Sequence, residues 1–262
     1  MQVIELRNYL LAPGKTHDFI RYFEEHFLQS QRDQGMYPLG QFELVGEPDR
    51  FVWIRAFQDM PARLRGLTGF YGGSFWLARR DEANAMIREH HDVHLLRPLA
   101  PVSALTGGAR PEDVAAAAPG SVPAETGLVV ADFYRVPPSA LGGAVELFER
   151  DVRRALVDGG HLILGHFAAE LAPNDYPRLP VVQDPGMLVV MTAYQDAEHC
   201  RAARRDWDGR GPAGLEGWRS GMTADTVSLR LRPTARSLIR YRSMSATSRA
   251  PGAASASRAT AG

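Results

Sequence analysis

FEEHFLQSQRDQGMYPLGQF, Phe23 to Phe42, returns without a gap as FERDVRRALVDGGHLILGHF, Phe148 to Phe167. Both copies read as a helix stopped by glycine and followed by a strand, with Gly35 matching Gly160, Gly40 matching Gly165 and Phe42 matching Phe167. The constant offset of about 125 residues is the period of a small domain, not of a solenoid repeat. The chain is therefore read as a duplicated fold. Residues 1–99 form one unit and 127–242 the second, each large enough to own a core. Between them, 100–126 is an Ala-, Pro- and Gly-rich linker, and the low-complexity tail 243–262 buries too little apolar surface to be ordered.

Working outward from the repeat, Val3 to Leu10 alternates as a strand, Phe19, Ile20, Phe23 and Phe27 form a helical stripe, and Leu39–Val45 and Phe51–Phe57 are two further strands. A glycine-interrupted helical region runs from QDMP to about Ile87, and a strand, His91 to Arg97, stops at Pro98. The order strand, helix, strand, strand, helix, strand is the ferredoxin-like βαββαβ arrangement. From Leu128 the plan repeats, with one addition: APNDYPRLPVVQ, 172–183, precedes the strand Met187–Tyr194. A proline-stiffened insertion at a strand end suits either a lid or a decorated hairpin. The fold class is α+β, with tandem ferredoxin-like domains.

Composition excludes several classes of function. Thirty basic and thirty acidic side chains cancel, so no general attraction to nucleic acid is expected. Arginines crowd the C-terminal part, but Lys15 is the only lysine, which points to codon bias more than to a phosphate-binding surface. No apolar run approaches the length of a bilayer span. The charged start MQVIELRNYL is no signal peptide, and the single cysteine, Cys200, rules out an internal disulfide, so a cytoplasmic location is expected. GFYGGS lacks the Lys-Ser of a phosphate-binding loop, and Cys200 has only its neighbour His199 for a base, so neither a nucleotide nor a thiol mechanism is indicated.

VIELRNYLLAPGK, DRFVWIRAFQDM, GFYGGSFW and ARRDEANAM followed by LLRPL resemble the bacterial branch of the NIPSNAP family in motif and in order. The resemblance covers nearly all of the first half and reaches the second through the duplication. It implies the dimeric α/β barrel version of the ferredoxin-like fold, here closed within one chain, with two four-stranded sheets facing each other around a cavity. It supplies no reaction. Relatives by fold include cofactor-free monooxygenases, polyketide cyclases and muconolactone isomerases, an association by fold alone.

If helices cover the aliphatic face of each sheet, the opposite face lines the cavity. On that assumption Ile4, Leu6, Val52 and Ile54 go to the helices. Arg7, Tyr9, Trp53, Arg55 and Phe57 then face the cavity as substrate-binding candidates, with Asp132, Tyr134 and Tyr194 from the second half. The cluster EHHDVH adds His90, Asp92 and His94, and the second half adds His166, as catalytic candidates suited to proton transfer near neutral pH. Each has a plain alternative: Arg7 as a cross-strand partner of Glu5 or Glu43, the aromatics as packing, and the histidines as exposed strand-end residues. A metal site is disfavoured, because His90 and His94 stand about 13 Å apart on an extended strand, and no cofactor is expected. The expected ligand is a hydrophobic or aromatic small molecule of biosynthetic metabolism. It would be acted on by cofactor-independent oxygenase, cyclase or isomerase chemistry, or bound without reaction by a homo-oligomeric assembly protein that uses its sheet edges.

Overall fold

The computed structural model describes residues 1–101, 105–107, 109–123, 127–210, 216–224 and 226–242. The tail 243–262, expected to lack order, lies outside them.

The first half runs β1 (Val3–Leu11), α1 (Thr16–Arg32), β2 (Tyr37–Leu44), β3 (Glu47–Phe57), α2 (Met60–Gly72), α3 (Ser74–Leu77), α4 (Arg80–Ala85) and β4 (Ile87–Pro98). The helix α1 stops where Gly35 takes a positive φ of 71°, and Gly160 does the same at 84° in the second copy, a conformation that favours glycine. At the start of α2 the Asp59 carboxylate accepts the Ala62 N–H at 2.7 Å, with Pro61 in the first turn where its missing donor costs nothing. A short α5 (Glu112–Ala115) lies in the linker.

The second half runs β5 (Leu128–Arg135), α6 (Leu141–Leu147), a π turn (Phe148–Val152), α7 (Arg153–Asp158), β6 (Leu162–Ala169), β7 (Met187–Tyr194), α8 (Ala197–Arg210), α9 (Glu216–Ser220) and β8 (Val227–Pro233).

Each half has its strands in ferredoxin-like order, and the two sheets join edge to edge into one closed barrel, β1-β3-β2-β8-β5-β7-β6-β4. Closure leaves no sheet edge of the kind that templates aggregation. The two seams are copies of each other: Phe42 pairs with Pro233 at β2–β8, and its repeat Phe167 pairs with Pro98 at β4–β6. Gly40 and Gly165 serve the same device beside those seams. A Cβ on Gly40 would stand 2.5 Å from the Phe42 ring and one on Gly165 3.1 Å from the Phe167 ring, so each phenylalanine folds back over its own glycine.

The interior of the barrel corrects one expectation. Ile4, Leu6, Val52 and Ile54 do not turn to the helices. They meet Val129, Ala131, Val189 and Met191 of the other half in one continuous buried cluster. An eight-stranded barrel is just wide enough for side chains to fill, and branched aliphatics fill it without leaving a polar group unpaired. Arg7, Tyr9, Trp53, Arg55 and Phe57 therefore lie on the outer face of the sheet, beneath the helices, and not in a cavity between the sheets. Tyr9, Trp53 and Phe57 share a cluster with Phe19, Phe23 and Phe27 of α1. In the second half Tyr134 packs with Phe148 and Trp218, and Tyr194 with Cys200 and Ala203, again on the helix side. On β1 and β3 alternation sorted the side chains into two sets correctly and assigned the faces the wrong way round.

Candidate functional site

A cavity of about 520 Å³ lies between the first sheet and its helices. That volume falls in the range of small-molecule sites. Its floor is the outer face of β1, β3 and β4, with Arg7, Tyr9, Trp53 and His90; its wall is aromatic, with Phe19, Phe23 and Phe27 from α1 and Phe70, Tyr71 and Trp76 from α2 and α3. Edge-to-face contacts lock this wall: Phe23 stands 4.9 Å from Trp53 and Tyr71 5.0 Å from Trp76, centroid to centroid.

The closing side comes from the other half of the chain. The insertion 172–183 crosses from β6 to lay Tyr176, Arg178 and Leu179 on the cavity. Tyr176 stacks on Tyr71 at 6.1 Å. The strap is held at both ends, because Gln183 Nε2 donates to the carbonyls of Glu170 and Ala172, and Val182 exchanges backbone hydrogen bonds with Val93 and Leu95 of β4. Asn174 ties its middle, donating to the Leu179 carbonyl at 2.9 Å while accepting from Arg63 at 3.1 Å. Of the two outcomes open to this insertion, it is the covering one that occurs. The residues sequence reasoning missed, Tyr176, Arg178 and the α1 to α3 aromatics, belong to this roof. The signal available was the insertion itself, long and proline-stiffened where its repeat has none.

Beneath the floor sits a buried charge cluster. The Glu5 carboxylate accepts from Arg7 Nη1 at 2.9 Å, Arg55 Nε at 2.8 Å and Arg63 Nε at 2.7 Å. All four side chains are buried. Burial would push the Glu5 carboxyl up, but the guanidiniums of Arg55, Arg7 and Arg63 outweigh it and hold the group well below the usual carboxylate range. Arg63 also pairs with Asp175 of the strap. Three cations face two carboxylates, so the cluster carries one surplus positive charge, and Arg7 is the member that reaches the cavity. Arg55 Nη1 instead donates to Gln31 at 3.1 Å and to the Met36 sulfur, and Arg55 does not line the cavity. Phe57 packs against the Arg55 guanidinium. Both belong to the support, not to the site.

The arrangement of Arg7 and Tyr9 sets a direction for a proton. Arg7 Nε donates to the Tyr9 hydroxyl oxygen at 3.0 Å, which takes up an acceptor position and leaves the phenolic O–H as a donor with no protein acceptor among the described residues. Burial raises the Tyr9 pKa above its ordinary value, against the pull of Arg7, so the phenol is neutral near pH 7. The buried Trp53 indole N–H also has no protein acceptor. Trp53 and Tyr9 are stacked by the same cation, with the Arg7 guanidinium 5.4 and 5.5 Å from the two rings.

The histidine cluster does not act as one group. A bulge in the β1–β4 pairing, between Asn8/Asp92 and Leu10/Glu89, changes the face on which successive residues stand. His90 falls beside Tyr9 at the cavity, 6.3 Å between rings. Asp92 and His94 fall on the opposite face, where the Asp92 carboxylate accepts from Asn8 at 2.8 Å, pairs with His94 at 3.2 Å, and the His94 ring meets Phe133 of the other half. The His94 hydrogen bond, more than any other cause, draws the Asp92 carboxyl below its ordinary value. Burial lowers the His90 pKa, and His91 and Arg7 lower it further. Among the described residues no three His, Cys, Asp or Glu side chains gather as a metal site requires.

The second-half candidates do not reach this cavity. Asp132 is taken by Arg204 at 2.9 Å and by the Ser228 hydroxyl, Tyr194 by His161 at 2.6 Å and Thr192 at 3.1 Å, and Tyr134 by packing on Trp218. His166 is buried against Phe148, with Nε2 2.7 Å from a Glu149 oxygen. Burial lowers its pKa despite that carboxylate. Cys200 is buried, with its thiol pKa raised by that burial.

Residues 4–101 match the NIPSNAP family model. Across 89% of this chain and 94% of its own, a candidate monooxygenase from Lactobacillus acidophilus NCFM superposes with a TM-score of 0.55 at 10% identity. An anthrone oxidase-like protein covers 89% of this chain and 91% of its own, with a TM-score of 0.50 at 12% identity. A NIPSNAP domain protein from Burkholderia xenovorans covers 38% of this chain and 98% of its own, at 19% identity and a TM-score of 0.35. A search among curated proteins matched nothing. At these identities the first two similarities establish the shared barrel fold and nothing about chemistry. No helix among the described residues is long and apolar enough to cross a membrane.

Proposed function

Since residues 4–101 are a NIPSNAP domain, joined by a second sheet into one barrel, we propose that the protein binds a planar aromatic anion under α1 of that domain and moves a proton on it. One observation carries this reading. The cavity wall is aromatic, and its charged lining residues are Arg7, Arg80, Arg88 and Arg178 with His90, and no carboxylate. An aromatic body with a carboxylate, phenolate or enolate oxygen satisfies both features, and a cation or an aliphatic neutral satisfies neither.

Arg7 is the counter-ion for that oxygen, supplied with a surplus charge by the Glu5 cluster and held rigidly by it. Tyr9 O–H and Trp53 N–H are donors aimed by the same scaffold. His90, its pKa lowered by partial burial and by His91 and Arg7, accepts the proton that leaves the substrate, and the charge left behind collects on the oxygen facing Arg7 and Tyr9. Proton loss to a stabilised enolate or phenolate is the shared opening step of cofactor-independent oxygenation, cyclisation and isomerisation. Names of the oxygenase kind borne by fold neighbours fit this class. No resident cofactor is called for by the step, and dioxygen would be the oxidant if oxygenation follows.

Calorimetric titration with hydroxylated aromatic acids and with their neutral amides tests the binding. The acid should bind about tenfold or more tightly than its amide, and Arg7→Met should abolish that preference. Tyr9→Phe should keep the stacking and reduce turnover, read as proton release or oxygen uptake. Equal affinity for acid and amide, unchanged by Arg7→Met, would overturn the reading. Tight binding with no turnover of any phenol or enol tested would leave a carrier and remove the chemistry.

A further inference from the structure

The cavity has a second cationic centre to which the proton-transfer step assigns no role. Arg7 is buried on the floor, whereas Arg80, Arg88 and Arg178 are exposed at the mouth. They come from three separate elements: the first residue of α4, the outer face of β4, and the strap contributed by the other half. Like charges brought to one rim repel, and a shared anion there would relieve that repulsion. Arg80 has Asp81 at 3.3 Å, but among the described residues neither Arg88 nor Arg178 has a carboxylate partner. His90, two residues along the strand from Arg88, also lines the cavity and adds no negative charge.

The strap makes this a built arrangement and not a chance one. Arg178 lies between Asn174 and Leu179, the two residues that close the strap on itself, and beside Tyr176, which is stacked on Tyr71. Its backbone is therefore fixed over the mouth by contacts that do not involve the guanidinium. The second half supplies this residue to the cavity of the first.

We propose that Arg178, with Arg88 and Arg80, binds a second anionic group of the ligand, so that the ligand is a dianion: an aromatic body with one oxyanion at Arg7 and a carboxylate, sulfate or phosphate at the mouth. Arg178 is the specificity-determining residue for that outer group. The proposal rests on the aromatic-anion reading, and its test separates the two.

The experiment compares paired probes by calorimetry at fixed ionic strength: a hydroxyaromatic monoacid against the same ring bearing a second carboxylate, a sulfate or a phosphate ester. Wild-type protein should bind the dianions about tenfold or more tightly than the monoacid, and Arg178→Ala or Arg88→Ala should remove that advantage while leaving monoacid affinity within about twofold. The rank among carboxylate, sulfate and phosphate identifies the outer group. Arg178→Lys, which keeps charge but not the two-pronged donor geometry, should recover part of it. Protease resistance of the strap, unchanged in Arg178→Ala, shows that the strap stays closed. Equal affinity for monoacid and dianion in the wild type, with the monoacid still lost in Arg7→Met, overturns the second site and leaves the first. An advantage that survives in both Arg178→Ala and Arg88→Ala overturns it as well.

Discussion

Replacing Glu5 by glutamine removes one charge from the centre of a buried cluster that touches floor, support and strap together. The carboxylate has contacts of 2.6 to 2.9 Å with Arg7, Arg55 and Arg63, all buried. Glutamine leaves those three cations facing Asp175 alone, and its amide N–H₂ must abut one guanidinium. Removing one partner from a buried ion pair costs about 3–5 kcal/mol, a large share of a domain stability of about 5–15 kcal/mol. In urea unfolding, with a slope of about 3 kcal/mol/M, the midpoint should fall by roughly 1–2 M at pH 7 with little change in slope. The pH dependence follows from the depressed Glu5 pKa. Its stabilisation is fully present above the unfolded value of 4.5 and is lost as pH falls toward the lower folded value. The gap between wild type and Glu5→Gln should thus be flat from pH 7 to about 5 and narrow below it. A midpoint shift corresponding to less than about 1 kcal/mol, or a gap that widens on acidification, would refute the electrostatic account of the cluster.

Asp175→Ala leaves Arg63 paired with Glu5 but frees the strap, and should cost about 1–3 kcal/mol and expose the 173–181 segment to limited proteolysis. Gly40→Ala drives a Cβ to 2.5 Å from the Phe42 ring and should destabilise by about 1–3 kcal/mol, whereas Gly165→Ala, with 3.1 Å to Phe167, should cost less in the same thermal melts. His90 should titrate below its ordinary 6.5 by ring-proton NMR, and any turnover that uses it as a base should rise with pH through that lowered midpoint. Arg7→Met removes one of the charges that lower it, so the midpoint should move back upward. His94→Ala, on the opposite face of β4, should leave the ligand affinity of the cavity unchanged in the same titrations.

Much of the architecture follows from the chain alone. The 20-residue repeat with its glycines at Gly35 and Gly160 required two copies of one helix–strand unit, because few other residues end a helix at positive φ. Period-two alternation in VIELRNYL and FVWIRAF separated aliphatics from charged and aromatic side chains, since a pleated strand has only two faces. Those sets survive intact in the structure. What alternation does not carry is which face meets which partner, because both sets contain large buried side chains. That choice was made by the closed barrel: its narrow interior admits Ile4, Leu6, Val52 and Ile54, while arginine and tryptophan need the wider space under α1, where Glu5 can neutralise them. The separation of His90 from Asp92 and His94 depended on a bulge, one residue of slippage that no side-chain pattern announces. The strap's destination was equally tertiary, since residues 172–183 bind a surface built from residues a hundred positions earlier. Local sequence determined the elements and their sorted faces; the site exists only where elements distant in the chain come to share one cavity.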